Sequence, residues 1–319
     1  MRIPVLTLVL LVAGCQATPP TPSPITLPKA HDDLPRVLHA WVADLARHPR
    51  SHKHPKHHAA SAGLIEAHFK SLGLDVRRQK VDRSARGTGN VIARLGQKGG
   101  PVVVVGAHYD SAYDTPGADD NASGVAVLLA VAEQLVAVQD TLPHAVELVA
   151  WTNEEPPFFR TAFMGSHVHA QQLLRDKADV RAMFTIESVG YFTDEEGSQD
   201  FPHPLLAMRY PDVGNFLAVV GQSGDDDAVE RTAKLLSVDD KLPIFGGTAP
   251  AYVPGVDFSD HLNFWEAGYP GIMLTDTAHL RNHRYHTRDD TADTLDYERM
   301  ALVVHGVFRL LTAPLSPQP

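Results

Sequence analysis

The sequence of 319 residues contains a single cysteine, Cys15. No disulfide can form within the chain, so its stability must come from a folded core and any bound metal. Excess positive charge is also missing: 28 Lys and Arg stand against 38 Asp and Glu, a formal net charge of -10 with His neutral. Binding to a phosphate backbone is driven by clustered Lys and Arg, so nucleic acid is not an expected partner. The apolar stretch at the N-terminus, Val5 to Val12, is too short to span a bilayer. There is no internal repeat and no interdomain linker. With 44% hydrophobic and 21% charged residues, the chain can bury a large core and disorder is not expected.

The first thirty residues carry targeting features. Arg2 supplies the positive start, Val5 to Val12 the apolar stretch and Ala13-Gly14 the small residues of a cleavage point. The run Val12-Ala13-Gly14-Cys15 resembles a bacterial lipobox, in which the cysteine becomes the acylated first residue of the mature protein. An ordinary secretory signal cleaved nearby is the alternative. Thr18 to Pro28 holds five prolines, too many for helix or sheet, and reads as an extended tether. The expected organisation is a lipoprotein signal peptide at 1–14, a Pro-rich tether at 15–29 and a catalytic domain at 30–315. The protein would be exported, touching a membrane only through a lipidated Cys15. Gln16 does not look like an inner-membrane retention signal, so the expected place is the periplasmic face of the outer membrane or the cell surface.

Beyond the tether, strand-like and helix-like patterns alternate. Helical periodicity is expected at 31–47, 59–72, 121–138, 164–177 and 294–312, with further helices within 212–238. Strands are expected at 91–95, 102–107, 146–152, 183–186, 205–209, 242–245 and 271–275. Continuous Val-rich runs such as Val102 to Val105 suit strands buried on both faces. The fold class that follows is α/β: a single domain with a mostly parallel mixed sheet flanked by helices on both faces. Loops 111–119, 156–163 and 246–260 would wall its site.

Ligands in open α/β sheets bind at the carboxyl ends of strands. The residues at those ends are His108, the pair Glu154-Glu155 and Glu187, with Asp120 at the start of a following helix. Any one of these alone is ordinarily solvated or hydrogen-bonded. Together, several carboxylates at one sheet edge would repel one another, which implies a compensating cation, and zinc suits mixed imidazole and carboxylate ligands. In His108-Tyr109-Asp110, residues two apart on extended backbone point the same way, so Asp110 is placed to orient the His108 imidazole. In Gly117-Ala118-Asp119-Asp120-Asn121-Ala122-Ser123-Gly124, small residues allow a tight turn with the acidic pair beside the helix N-terminus, and simple N-capping by Asp or Asn is the blander reading.

Four blocks in order, Val105 to Ser111, Gly117 to Gly124, Trp151-Thr152-Asn153-Glu154-Glu155 and Tyr285 to Thr291, resemble the family of co-catalytic zinc aminopeptidases. The relatives of that family include glutamate carboxypeptidases and glutaminyl cyclases. Ser259-Asp260-His261 resembles a further segment recurring near the family's pocket. The resemblance implies a zinc exopeptidase fold and two Zn2+ per chain. Asp120 would bridge them, His108 and Glu187 completing one site and Glu155 and His286 the other. Similar proteins have Asp where this chain has Glu187, and the extra methylene bears on that site. Four metal charges against three ligand carboxylates and a bridging hydroxide give a neutral core. The implied function is a metal-dependent exopeptidase, an aminopeptidase acting on peptides through a di-zinc-activated water with Glu154 as general base. Glutaminyl cyclase, carboxypeptidase and non-catalytic surface-binding functions are the alternatives, Arg160, Arg281 or Arg284 being candidates to hold a substrate carboxylate.

Other features are blander. The five histidines between His48 and His58 read as a solvated loop, because Pro and Lys prevent compact ligand geometry. Arg86-Gly87-Thr88-Gly89 lacks the context of a phosphate loop and reads as a turn before a strand. Pro156-Pro157-Phe158-Phe159 is equally a pocket wall or loop packing, and Tyr252, Phe258 and Tyr269 are candidate lining residues.

Overall fold

Four consecutive valines open strand β3 (Val102–His108), and every one of its residues is buried. Both faces and both edges of this strand must therefore be covered. The computed structural model, which describes residues 33–84, 87–97 and 99–315, provides that cover. The expected signal peptide, Cys15 and the tether lie outside the described residues, as does Arg86.

β3 pairs in parallel with β4 (Ala145–Trp151) on one side and β5 (Val180–Glu187) on the other. Beyond β4 come β2 (Asn90–Leu95) and then β1 (Asp75–Gln79), both antiparallel. Beyond β5 come β8 (Gly271–Thr275), β6 (Leu217–Gln222) and β7 (Ile244–Ala249). The result is one mixed eight-stranded sheet in the order β1-β2-β4-β3-β5-β8-β6-β7. Its centre is parallel, which is where the near-continuous apolar runs lie.

Helices α1 (Leu34–Leu45), α2 (Pro55–Ser71), α3 (Gly124–Val136), α6 (Asp226–Leu236) and α8 (Tyr297–Thr312) enclose the larger core. α3 is apolar on nearly every side because it packs on the sheet below and on α1 and α8 above. On the opposite face, α4 (Gly165–Arg175) and α7 (His261–Glu266) cover a smaller core around Trp151, Met183 and Phe264. The single-domain α/β architecture expected from the alternating pattern is present.

Three local expectations are corrected, and one strand is added that the sequence pattern did not place. Residues 205–209 are not a strand: Pro204–Ala207 forms the short helix α5, started by Pro204 and by the His203 ring, which accepts the Leu205 N–H at 3.2 Å. Within 212–238 only α6 is helical, and Leu217–Gln222 is the strand β6, its β-branched pair Val219-Val220 settled between β8 and β7. β1 has no apolar alternation to reveal it; Asp-Val-Arg-Arg-Gln is an edge strand recruited by pairing with β2. The stretch His48–His58 is not a solvated loop. Arg50, Ser51 and His58 are buried, and α2 already begins at Pro55.

Candidate metal centre

Parallel strands deliver their last residues to a common edge, and this sheet delivers His108 from β3 and Glu187 from β5 to the same point. Glu154 and Glu155 follow β4 through a turn in which Asn153 has φ +59°. His286 lies in the connection between β8 and α8, itself at φ +59°. Asp120 sits in a kinked turn, Ala118–Ser123, whose backbone departs from helical values at Asp120 and Asn121 before α3 begins. Such left-handed or irregular backbone at non-glycine residues persists where the surroundings over-determine it, as they do at functional sites.

These side chains converge. Asp120 offers one oxygen to each side: Oδ1 is 3.1 Å from His108 Nε2, and Oδ2 is 2.9 Å from His286 Nε2. Glu187 Oε2 lies 3.3 Å from the same His108 nitrogen, and Glu155 Oε2 lies 3.4 Å from that of His286. Two ligand sets, His108-Asp120-Glu187 and Asp120-Glu155-His286, thus share Asp120. Glu154 stands at their edge, Oε2 3.9 Å from His108 Nε2. The His108 Nδ1–H donates to the Asp110 carbonyl at 3.2 Å, since a carbonyl can only accept, and this turns Nε2 toward the carboxylates. His108 Nε2, His286 Nε2 and Glu155 Oε1 are buried without a hydrogen-bond partner. Unpartnered buried imidazole and carboxylate atoms that face one another fit divalent cations of the zinc kind.

The electrostatics agree. Burial pushes Glu155 up to about 8, with Asp120 adding to the push and His286 opposing it. Burial also carries Glu154 well above the usual carboxylate range, helped by Glu155, Glu187 and Asp260 against the pull of His108. Burial would lower both imidazoles, but the surrounding carboxylates raise His108 well above its ordinary value and His286 to about 11. Protons are doing at this centre what a bound cation would do.

A second layer holds the ligands in place. The Asp110 carboxylate accepts the backbone N–H of Glu154 at 3.2 Å and of Glu155 at 3.1 Å, fixing the turn that carries both glutamates. Its Oδ1 lies 3.6 Å from His108 Nδ1, so the orienting contact to the ring comes from the Asp110 carbonyl. Glu187 is held by Ser259 Oγ, which donates to Oε2 at 2.7 Å, and by Ser188 Oγ, which donates to Oε1 at 3.1 Å. These two hydroxyls set where the longer side chain ends. Asn121, which the sequence presents only as a helix cap, accepts the N–H of Gly124 and Ser188 and donates to the Ile186 carbonyl, joining the start of α3 to the end of β5. Asp260 is fully buried with both oxygens unpartnered, and burial, eased by His108 and raised further by Glu187, pushes it to about 7.

A cavity of about 560 Å³ opens beside Glu187 and Tyr285, the latter stacked on His286 with ring centroids 3.9 Å apart. Phe201, Tyr210, Phe216 and Phe245 give it aromatic walls, and Phe258 lines it from the loop that follows β7. Phe158 packs on His52 and Phe159 on Phe258, so the residues after the paired glutamates buttress the rim. Tyr252 is exposed, and Tyr269 packs against the smaller core. Gly89 supplies the turn before β2 at φ +112°.

Comparison with known proteins adds the family. The sequence profile described as peptidase family M28 matches residues 90–311. The chain is 45% identical over 272 residues to the uncharacterized protein YfbL of Escherichia coli, covering 83% of each. It is 25% identical over 225 residues to leucine aminopeptidase 1 of Trichoderma harzianum, covering 66% of this chain and 50% of that protein, so it spans about half the length of that relative. Among solved structures, LapB of Legionella pneumophila superposes with a TM-score of 0.67 at 22% identity, covering 89% of this chain and 75% of that one. A glutaminyl cyclase of Bacteroides thetaiotaomicron does so with a TM-score of 0.64 at 18% identity, covering 90% and 99%. The profile match spans both shared-aspartate ligand sets, and the chain belongs to peptidase family M28 as a metallopeptidase.

Proposed function

We propose that the protein is an aminopeptidase that removes N-terminal residues from peptides, with two Zn2+ ions held by His108, Asp120 and Glu187 and by Asp120, Glu155 and His286. The observation that carries this reading is the charge of the centre. Asp110, Asp120, Glu154, Glu155, Glu187 and Asp260 are all buried there. In ionised form these six, with the buried Asp290 beside Arg50, outnumber by two the four charges of two zinc ions and the single charge of Arg50. A free α-ammonium group is the substrate feature that such a surplus attracts.

The arginines that a carboxypeptidase would require have contacts of their own, Arg281 keeping one buried Nη2 without a partner. Arg160 pairs with Asp257, Arg281 is tied to Gln199 and the Phe216 carbonyl, and Arg284 lies over the Tyr191 ring. The leucine aminopeptidase name of one relative supports the same choice.

Two bound zinc ions would supply Lewis acidity toward the scissile carbonyl and a lowered pKa for attacking water. Glu154 takes the water proton and passes it to the leaving amine, a role suited to a carboxyl group whose proton affinity is raised by burial. Asp110 keeps that carboxylate aimed by gripping the backbone on which it stands. The cavity beside Glu187 receives the first side chain. We further propose that the protein works outside the cytoplasm on a lipidated Cys15, a reading supported by Val12-Ala13-Gly14-Cys15.

The test is an assay of the full chain in detergent, with and without chelator, on peptides with a free amine, with a blocked amine and with N-terminal Gln. Chelator-sensitive cleavage of free-amine peptides is the expected result. Cleavage confined to blocked-amine peptides would overturn the assignment, and so would cyclisation of N-terminal Gln without peptide-bond cleavage.

A further inference from the structure

Arg50 lies outside residues 90–311, the span of the family match, in the connection between α1 and α2. Its side chain is nevertheless among the largest that are fully buried. The guanidinium donates Nε–H to the Tyr109 carbonyl at 2.9 Å, Nη1 to the carbonyls of Leu45 and Pro116, and Nη2 to the Gly117 carbonyl at 2.9 Å. The Arg50 backbone N–H donates to Ser111 Oγ at 2.9 Å. Every acceptor except the Leu45 carbonyl belongs to the segment that runs from His108 to Asp120.

Asp290 grips the far end of that segment. Its Oδ1 accepts the Asp119 N–H at 2.8 Å, its Oδ2 the Asp120 N–H at 3.2 Å and its carbonyl the Ala118 N–H at 3.2 Å. Gly117, at φ +64°, closes the loop between the two grips. A Cβ there would meet the Asp120 carbonyl at 2.3 Å and Arg50 Nη2 at 3.2 Å. The loop's carbonyls are held by the Arg50 guanidinium and its amides by the Asp290 carboxyl group, so it is tied through its acceptors and its donors alike.

We infer that Arg50 and Asp290 form a clamp that positions the Asp120 carboxylate between the two metal sets, making both of them positioning residues for the centre. Asp120 presents one oxygen to each set, so a small rotation of its loop misaligns both at once. Removing an unshared ligand would weaken only one. Lysine cannot replace the arginine, because an ammonium radiates three donors from a point while the guanidinium spreads its donors in a planar fork that reaches three loop carbonyls.

The inference rests on the reading that the centre holds metal, and its test separates the two. The metal-free full chain, in detergent, is titrated with Zn2+ against a chromophoric chelator for the wild type, Arg50→Lys, Arg50→Met, Asp290→Asn and Leu311→Ala. Leu311 is buried in the last turn of α8, in the larger hydrophobic core, so its variant reports general destabilisation. The wild type is expected to take up two equivalents. The Arg50 and Asp290 variants are expected to bind both equivalents about 10- to 100-fold more weakly, with the two steps moving together. Leu311→Ala is expected to melt lower and to bind as the wild type does. Should Arg50→Met fail to fold, Arg50→Lys and Asp290→Asn give the same readout. Wild-type affinities in folded Arg50 variants would overturn the clamp, and so would equal weakening in Leu311→Ala. A wild type that takes up no zinc would overturn the metal reading, and the clamp with it.

Discussion

A carboxylate that takes a proton from water and returns it to an amine works best when its proton affinity lies near neutrality. Burial, helped by Glu155, Glu187 and Asp260, raises the proton affinity of Glu154 well above that of an ordinary carboxylate, and Glu154 stands beside both shared-aspartate sets, within reach of His108 and Glu155. Glu154→Gln conserves volume and leaves the five proposed ligands untouched. Zinc content is expected to stay at the wild-type level while kcat falls by about 10²–10⁴-fold. A kcat within a factor of a few of wild type would take Glu154 out of the proton-transfer role. Glu187 is tested through its support rather than by its removal. Loss of the 2.7 Å bond in Ser259→Ala is expected to weaken the His108-Asp120-Glu187 set about tenfold and leave the other set unchanged. Chelator competition would resolve the two steps, and an equal loss at both would contradict the assignment of Ser259 to Glu187 alone.

At the scale of elements, the centre depends on close approach between the start of α3 and the end of β5. Gly124 makes that approach possible. A Cβ at this position would lie 2.3 Å from Asn121 Oδ1 and 2.5 Å from the Ile186 carbonyl. Neither obstacle is a flexible chain end, because Asn121 is itself bonded to Ile186, Ser188 and Gly124. Gly124→Ala is expected to cost about 1–3 kcal/mol, the usual penalty for forcing a methyl group into a packed interior. Urea melts of the metal-free protein measure this directly. A variant as stable as the wild type would mean that the two elements separate more easily than their bonding implies.

For the whole molecule, the centre links stability to pH and to metal. In the metal-free protein, burial pushes Asp260 and Asp290 to about 7 and Glu155 to about 8, and its carboxylates carry His286 to about 11. Each of these groups holds a proton that the unfolded chain would release, the acids above about pH 4 and the histidine above about 6.5. The folded state binds more protons, so these terms lower stability as pH rises. Burial lowers His58 and His261 to about 4, and they act oppositely, adding stability between about pH 4 and 6.5. Above 6.5 only the first group still operates. Chelator-treated protein is therefore expected to melt at progressively lower temperature from about pH 6.5 to 8.5, and the zinc-loaded protein to change less, because metal would replace the protons on Glu155 and His286. Zinc at a thousand times its Kd would add about 4 kcal/mol, lost again on chelation. A melting temperature of the metal-free protein that climbs over this interval would contradict the protonation pattern.

The sequence by itself determined the sheet centre and which side chains reach its edge. Val102 to Val105 can be satisfied only by burial on both faces, and strand periodicity then sends His108, the Glu154-Glu155 turn and Glu187 to one edge. Those signals are local, because each depends on consecutive residues. Tertiary structure alone decided what depends on partners distant in the chain. β1, nearly all charged or polar, became a strand because β2 offered it an edge. β6 is flanked by a helical segment and gained its identity from β8 and β7. Arg50, set among histidines, lysine and prolines that read as solvated, was drawn inside by carbonyls of residues 109, 116 and 117. Burial of a cation is decided by the sum of its acceptors and counter-charges, and that sum exists only once the chain has folded around it.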